Sequence, residues 1–502
     1  MSETGNNSGL QTGAISLSGD FVASVATVAP SSSVAFTLAL LLGFAGLATP
    51  LAVLVVGVSM LFVAFGYAQM NKWKPSAGAP YVWVGRAVGP IVGVGTGMLS
   101  IVASTVANIG NITLAGAYFL FVLFPSHTFP SGVTWLVAAV IMVFLVWLAI
   151  RGIRPSIYVQ ALLVVIEYGA IISFVVLALM HELSHPAAGV HGPSWSDFSL
   201  SGGVGGFKGL AEAAVVCGFL YAGWEAPLVL GEESTNAKIN PGRAAIIGTA
   251  FLTIWYTFLI VVFQGVDSPK NLIAHGSDVL AYSGQLLVPG FLGRALPLAV
   301  LAAVIGTTQM QMTEPSRILY SMARDKLVPK VFGYIHGKHL TPWWAIAILG
   351  CIPPLALIPY LLNTSAEKAI GDVISASGML YLAMYCIIAL SCVWFSRAEI
   401  LAHKGRVLLT AGLLPLIGGA FNLIIFAYGL KTQGRTIASV AIAGVVLCVV
   451  VALVVRIKAG REEFFTSRGG KDEVPSAEAP SAGIPAAGTA AAGTAALEAT
   501  EG

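Results

Sequence analysis

The sequence predicts an all-α integral membrane protein of about twelve transmembrane helices, and three observations carry that prediction. Of its 502 residues, 57% are hydrophobic and only 10% charged, against roughly 25% charged in soluble domains. Twelve apolar runs follow one another along the chain, each near or above the ~20 residues that a hydrocarbon core of roughly 30 Å requires. Two of those runs, five apart, are interrupted by residues that an unbroken membrane helix avoids.

The chain opens with residues 1–20, rich in Gly, Ser, Thr and Asn, which read as a disordered cytoplasmic segment. They hold no Lys or Arg ahead of the first apolar run, so no secretory signal peptide is evident. Spans follow at about 21–43, 50–71, 87–124, 133–150, 156–180, 208–231, 243–265, 294–322, 342–361, 370–395, 407–429 and 436–457. Span 4, at 133–150, is the shortest. Residues 181–207 form an extracytoplasmic loop, and 459–502 a disordered cytoplasmic tail. From position 474 that tail is Ala, Gly, Pro, Ser and Thr with a few Glu, too little apolar bulk to fold. Cys217, Cys351, Cys386, Cys392 and Cys448 all fall inside apolar runs, which reads as buried thiols and not as a disulfide framework.

Orientation follows from the basic residues. With the N-terminus in the cytoplasm, 20 of the 26 Lys and Arg fall on the cytoplasmic side and six outside. That asymmetry is the one expected of a multi-pass protein of the cytoplasmic membrane with both termini inside.

The interruptions define the candidate site. Span 1 reads Ala26-Thr27-Val28-Ala29-Pro30-Ser31-Ser32-Ser33, and span 6 reads Gly218-Phe219-Leu220-Tyr221-Ala222-Gly223-Trp224-Glu225-Ala226-Pro227. Backbone groups freed at membrane depth survive only in protein or beside a water-filled cavity. A bland reading of span 6 is a proline-kinked helix whose Glu225 meets a neighbour. Paired interruptions favour a second reading, a binding site made by exposed helix ends. Breaks five spans apart imply two five-span repeats, 21–180 and 208–395, and an odd number of spans inverts one against the other. Spans 3 and 8 correspond and are long enough to tilt strongly. Spans 11 and 12, within 396–458, stand outside the repeats.

Two further segments carry a family likeness. One is Ser316-Arg317-Ile318-Leu319-Tyr320-Ser321-Met322-Ala323-Arg324-Asp325-Lys326-Leu327-Val328-Pro329, followed by Thr341-Pro342. The other runs from Glu232-Glu233-Ser234-Thr235-Asn236 to Pro241-Gly242-Arg243-Ala244. With Phe219, Tyr221, Ala222, Gly223 and Glu225, these make the chain resemble the amino acid–polyamine–organocation (APC) transporter superfamily over spans 1–10. The resemblance implies a leucine-transporter-type fold with spans 1 and 6 unwound around a central site. It places a substrate carboxylate at the helix start after Ala29 and Pro30, near Ser31, Ser32 and Ser33, where free N–H groups and a positive dipole end attract anions. Free carbonyls near Phe219 and Ala222, before Gly223, suit an ammonium. Phe219 matches the family's aromatic lid, and Tyr221 and Trp224 are expected to shape the side-chain pocket.

The chain also departs from the family. Many members carry a glycine-rich run at the span 1 break; here it is Ala29-Pro30-Ser31-Ser32-Ser33-Val34-Ala35-Phe36. A branch of the family has a lysine in span 5 that stands in for sodium, and the matching position here is Glu167. Counting from Ser156, Glu167 lies about 17 Å along span 5, near the bilayer midplane. An intramembrane carboxylate costs on the order of 3 kcal/mol or more when charged, which marks it as functional by default. In the resembled fold it faces the span 1 break and a hydroxyl pair in span 8, matched here by Thr307 and Thr308. Proton coupling through these three is the expectation, against a Glu that stays protonated and only hydrogen-bonds a neighbour.

Other signals weigh less. His181-Glu182-Leu183-Ser184-His185, with His191 beyond, matches H-E-x-x-H, whose spacing sets two imidazoles on one helix face around zinc. Pro186 and the membrane-edge position argue for a polar helix end, so a metalloprotease using His181, Glu182 and His185 is only a remote alternative. Gly93-Val94-Gly95-Thr96-Gly97 follows no strand and reads as close helix packing. Asn108 and Asn111 read as interhelical hydrogen-bond partners, and Asp372, Ser375 and Ser377 as pathway candidates. The functional expectation is a non-enzymatic secondary transporter that takes up amino acids or related amines by alternating access, proton-coupled, with an exchanger as the alternative. It needs a small-molecule substrate, a proton and a lipid bilayer, and no cofactor, metal or nucleic acid. A channel would not need paired breaks, and an enzyme would need a catalytic constellation.

Overall fold

Every predicted apolar run is helical over most of its length, with spans 1 and 6 each broken into two pieces. In the computed structural model, which describes residues 10–125, 127, 129–184, 193–200, 203–361, 366–402 and 405–466, the unbroken spans include Thr49–Trp73, Pro90–Leu123, Ser131–Ile150, Asn240–Phe263, Ala295–Arg324 and Arg435–Ala459. Nine described helical segments are long and apolar enough to cross a membrane. One of these, Leu17–Trp73, holds spans 1 and 2 together, and the shorter apolar helix Trp343–Ala356 belongs to span 9. Span 6 escapes that length criterion because it is broken into Gly206–Leu220 and Ala226–Val229. No strand occurs among the described residues, only an isolated bridge between Ile15 and Ser234.

Helix starts follow proline. Pro30, Pro50, Pro90 and Pro241 sit in the first turn of their helices, where the missing N–H has no partner to lose and φ is already helical. Spans 3 and 8 run 34 and 30 residues, roughly 50 and 45 Å at 1.5 Å per residue, so both exceed the hydrocarbon thickness. Asn111 Nδ2 donates to Gln311 Oε1 at 2.8 Å between them, and Asn108 Nδ2 to the Thr308 carbonyl at 3.3 Å, as expected of interhelical partners. The glycine run from Gly93 lets span 3 pack closely on the short helix Ala79–Ala87, where a β-carbon on Gly93 would clash with the Gly85 Cα.

The molecule's outside is apolar where lipid would lie. Val140, Val143, Val165 and Ile254 are all more than 60% exposed, while Asp20, Glu167, Glu225, Glu233, Glu314 and Arg317 are buried. That inversion is the arrangement a bilayer solvent selects.

Both chain ends differ from expectation. Residues 10–20 are not disordered: Ile15 donates its N–H to the Glu233 carbonyl at 3.0 Å and accepts from Thr235 N at 2.8 Å, and Ser16 caps a helix that begins at Leu17. Asp20 then accepts from Ser234 Oγ at 2.7 Å. Backbone pairing with the segment after span 6 holds this stretch, and composition does not reveal it. At the other end, a short helix Glu463–Thr466 follows span 12 and lays Phe464 on Tyr81, centroids 5.4 Å apart. Residues 1–9 and 467–502, including the Ala-rich tail, lie outside the described residues. All five cysteines are free thiols, but Cys351 is exposed, contrary to the reading that all five are buried.

Candidate functional site

Span 1 breaks because Pro30 follows Ala29. A residue before proline is pushed out of the helical region, and Ala29 adopts the left-handed conformation, φ 44° and ψ 80°. This costs a non-glycine residue roughly 1–2 kcal/mol. The chain satisfies the freed carbonyls itself: Val28 O accepts from Tyr256 Oη at 3.0 Å and Ser33 Oγ at 2.7 Å, and Ala29 O from Ser32 Oγ at 3.0 Å. After the break, Pro30 opens the helix Pro30–Ala45 and the Ser31 N–H donates to Glu167 Oε1 at 2.8 Å. The Ser31 hydroxyl, fully buried, has no close hydrogen-bond partner among the described residues.

Span 6 opens at residues 221–225, between Gly206–Leu220 and Ala226–Val229. Gly223 has φ 105°, a conformation L side chains rarely adopt. A β-carbon there would clash with Thr27 Cγ2, so the two breaks lie against each other. Ser24 Oγ donates to the Trp224 carbonyl at 2.9 Å, a second link between them.

Phe219 lies at the last turn before this break, 4% exposed, with its ring edge-on to Phe36 at 5.8 Å. Phe36 also lines a cavity of about 160 Å³ with Ala39, Leu40, Ile273, Ser277 and Ile374. The aromatic pair thus lies between the break and that cavity.

The other expected pocket residues turn away from Phe219. Tyr221 Oη donates to the Val53 carbonyl at 2.9 Å and its ring meets Tyr256 at 5.3 Å. Trp224 packs between Tyr67 at 4.9 Å and Tyr385 at 5.5 Å. Non-helical backbone at 221–225 thus brings the two rings to different neighbours. Ala222 contributes backbone, its N–H bonded to the Phe219 carbonyl at 2.9 Å.

The expected trio of Glu167, Thr307 and Thr308 is only half assembled. Glu167 meets the span 1 break as expected, but the described residues show no hydrogen bond from it to either threonine. Thr307 Oγ1 reaches the Ala26 and Ala303 carbonyls, at 3.4 and 3.1 Å, and the buried Thr308 hydroxyl has no partner among the described residues. Span 5 touches span 8 through Gln160, whose Nε2 donates to the Gly306 carbonyl and Gln309 Oε1, both at 2.9 Å. Gln160 precedes Glu167 by seven residues, two turns, so one helix serves two levels of the bundle.

Glu314 was missed by sequence reasoning. It is a buried carboxylate inside span 8, and intramembrane acids are functional candidates in their own right. Its place beside the Ser316-Arg317 motif drew notice to the arginine instead.

Below the breaks, the two family-like segments join. Arg317 and Glu233, both essentially unexposed, pair at 3.1 Å, and Arg324 bonds Glu232 through both nitrogens at 2.9 and 3.0 Å. Ala77 N adds a third bond to Glu232 at 2.9 Å. Burial alone disfavours the Glu232 charge, but the Arg324 hydrogen bonds and guanidinium charge hold its carboxyl below the ordinary glutamate value. His181 and Glu182 simply end the span 5 helix, with the Glu182 carboxylate packed on Gly265. His185, Pro186 and His191 lie outside the described residues, among which no group of three metal-ligating side chains occurs.

Two broken membrane helices touching at their breaks define a protein of the leucine-transporter-type fold. The structure of a manganese transporter from Eremococcus coleocola superposes with a TM-score of 0.58 over 92% of this chain and 99% of that one, at 14% identity. The chain itself belongs to the amino acid permease family, whose pattern it matches over residues 9–457. The low-affinity putrescine importer PlaP of Escherichia coli is 25% identical over 60% of this chain and 65% of its own length. The branched-chain amino acid permease BcaP of Bacillus subtilis is 25% identical over 65% of this chain and 72% of its own. The human large neutral amino acids transporter small subunit 2 is 23% identical over 61% and 56%. The chain thus spans just under two thirds of the importer's length.

Proposed function

We propose that this chain is a secondary active transporter that carries amino acids or related amines into the cell across the cytoplasmic membrane, coupled to protons, with both termini cytoplasmic. The observation that carries the reading is the contact of the two helix breaks at Gly223 and Thr27, with Glu167 buried against the first of them. Relatives named for putrescine, branched-chain and large neutral amino acids support the substrate range. The basic asymmetry of the loops supports the orientation.

In this mechanism the substrate lies between Ser31, Ser32 and Ser33 on one side and the backbone from Phe219 to Gly223 on the other. Its ammonium faces the carbonyls left at the end of Gly206–Leu220, and Phe219 covers it from the side of Phe36. Glu167 alternates between accepting the Ser31 N–H as a carboxylate and releasing it once protonated, which ties the helix start to the proton gradient. Thr307 joins span 8 to span 1 through the Ala26 carbonyl, and the Thr308 hydroxyl next to it in sequence takes part in the proton relay. The Arg317 and Arg324 pairs close the cytoplasmic end and must separate for release. No covalent bond is made or broken.

Thermal-shift and scintillation-proximity screening of the purified chain against amino acids and polyamines tests the proposal. Saturable binding of at least one of these classes is expected. Binding by neither contradicts it.

A further inference from the structure

The end of span 4 and the loop before span 9 form a basic surface that the transport mechanism does not use. Span 4 ends in Trp147 and Arg151, with the guanidinium 4.5 Å over the indole. The Ile150 carbonyl accepts from Thr341 Oγ1 at 2.8 Å, which ties this end to the loop. The loop is itself a closed turn. His336 N donates to the Thr341 carbonyl at 2.8 Å, and Leu340 N to the His336 carbonyl at 2.9 Å. His336 Nδ1 accepts from Lys338 N and His339 N at 3.2 and 3.3 Å, and the two imidazoles lie 4.7 Å apart.

Neither segment brings an acid to balance these groups. The chain holds no Asp or Glu from position 21 to 166, nor from 326 to 366. Arg151 and Lys338 are exposed and enter no ion pair among the described residues. The side-chain charges acting on His339 come from His336, Lys338 and Arg151, all basic.

The neighbouring surface is aromatic and then apolar. Trp147 and Trp344 are exposed, and so are Phe144, Val143 and Val140 further along span 4. Exposed tryptophans mark the membrane–water interface, so the basic groups stand at the level of lipid headgroups. Basic side chains held together repel one another, and an anion relieves that repulsion. A soluble anion answers the charges alone. A phospholipid answers the charges with its phosphate and covers the apolar stripe with its acyl chains. We propose that Arg151, Lys338, His336 and His339, beside Trp147 and Trp344, form a docking surface for an anionic phospholipid. The orientation proposed above puts that lipid in the inner leaflet.

Lipid titrations of the full chain in detergent, followed by native mass spectrometry, test the surface. The probes are phosphatidylglycerol and phosphatidylcholine of equal chain length. Each basic side chain near a membrane surface contributes about fivefold in affinity for anionic lipid. The parent is therefore expected to prefer phosphatidylglycerol at least ~20-fold. Arg151→Gln and Lys338→Gln should each lower that ratio about fivefold. Lys338→Gln, on an exposed turn, gives a second reading if Arg151→Gln fails to fold. Arg397 also stacks on a tryptophan, 4.2 Å over Trp394, but Glu399 stands two residues on. Arg397→Gln should therefore leave the ratio unchanged.

Equal affinity of the parent for the two lipids overturns the surface. So does a loss in Arg397→Gln as large as in Arg151→Gln, which makes the preference a property of the whole basic face. Displacement of phosphatidylglycerol by inorganic phosphate also overturns it, because the groups then serve a soluble anion. None of these readouts involves uptake, so this surface and the transport reading stand or fall separately.

Discussion

Glu167 Oε1 accepts the backbone N–H of Ser31 at 2.8 Å, so a side chain from span 5 caps the helix that restarts after the span 1 break. The bond puts an acid where a helix start, with its free N–H groups and dipole, favours a negative charge. Glu167→Gln, which mimics the protonated acid, should keep substrate binding but lose pH-dependent accumulation. At most, exchange should remain. Uptake by this variant with the parent's pH dependence and full concentrative capacity would rule out the coupling role.

In the proposed mechanism Phe219 gates the site. Phe219→Ala removes the edge-on contact with Phe36, and the expected result is roughly tenfold weaker substrate binding, about 1.4 kcal/mol, with expression intact. Uptake kinetics matching the parent's would retire the idea.

Gly223→Ala should damage the break itself. The residue has φ 105° and no room for a β-carbon beside Thr27, so strain of about 1–3 kcal/mol is expected. A lower melting temperature and slower uptake are the readouts, and a variant unchanged in both contradicts the geometry.

Much of this arrangement was legible in the sequence, for physical reasons. Span positions follow from apolar length, and both breaks from Pro30, Gly223 and Pro227 standing where a membrane helix should be continuous. Other features depend on rotation about helix axes and on distant neighbours. Whether Tyr221 faces Val53 or the pocket, or whether Gln160 and not Glu167 meets span 8, is set by packing between helices over a hundred residues apart. Ile15 was unreadable because a backbone bridge to Ser234 holds it.

The closed end should be held by its ion pairs. Arg317→Ala leaves Glu233 buried and uncompensated, which typically costs about 3–5 kcal/mol, so low yield or a large loss of thermal stability is expected. The exposed end of the network gives a pH test. Glu232 has a folded pKa below its ordinary value, so its stabilisation is full above the ordinary glutamate range and is lost as pH falls through the depressed value. Glu232→Gln should therefore flatten the acid limb of the melting curve against pH. An unchanged acid limb would mean the pair contributes nothing.

Proton-driven uptake through the paired breaks is what the proposed mechanism requires above all. Purified chain in proteoliposomes, acidic outside and neutral inside, offered a labelled amino acid or diamine that it binds, tests this most directly. Accumulation above the outside concentration, collapsing when a protonophore dissipates the gradient, is the expected result. Uptake that never exceeds equilibration, whatever the gradient, would contradict it.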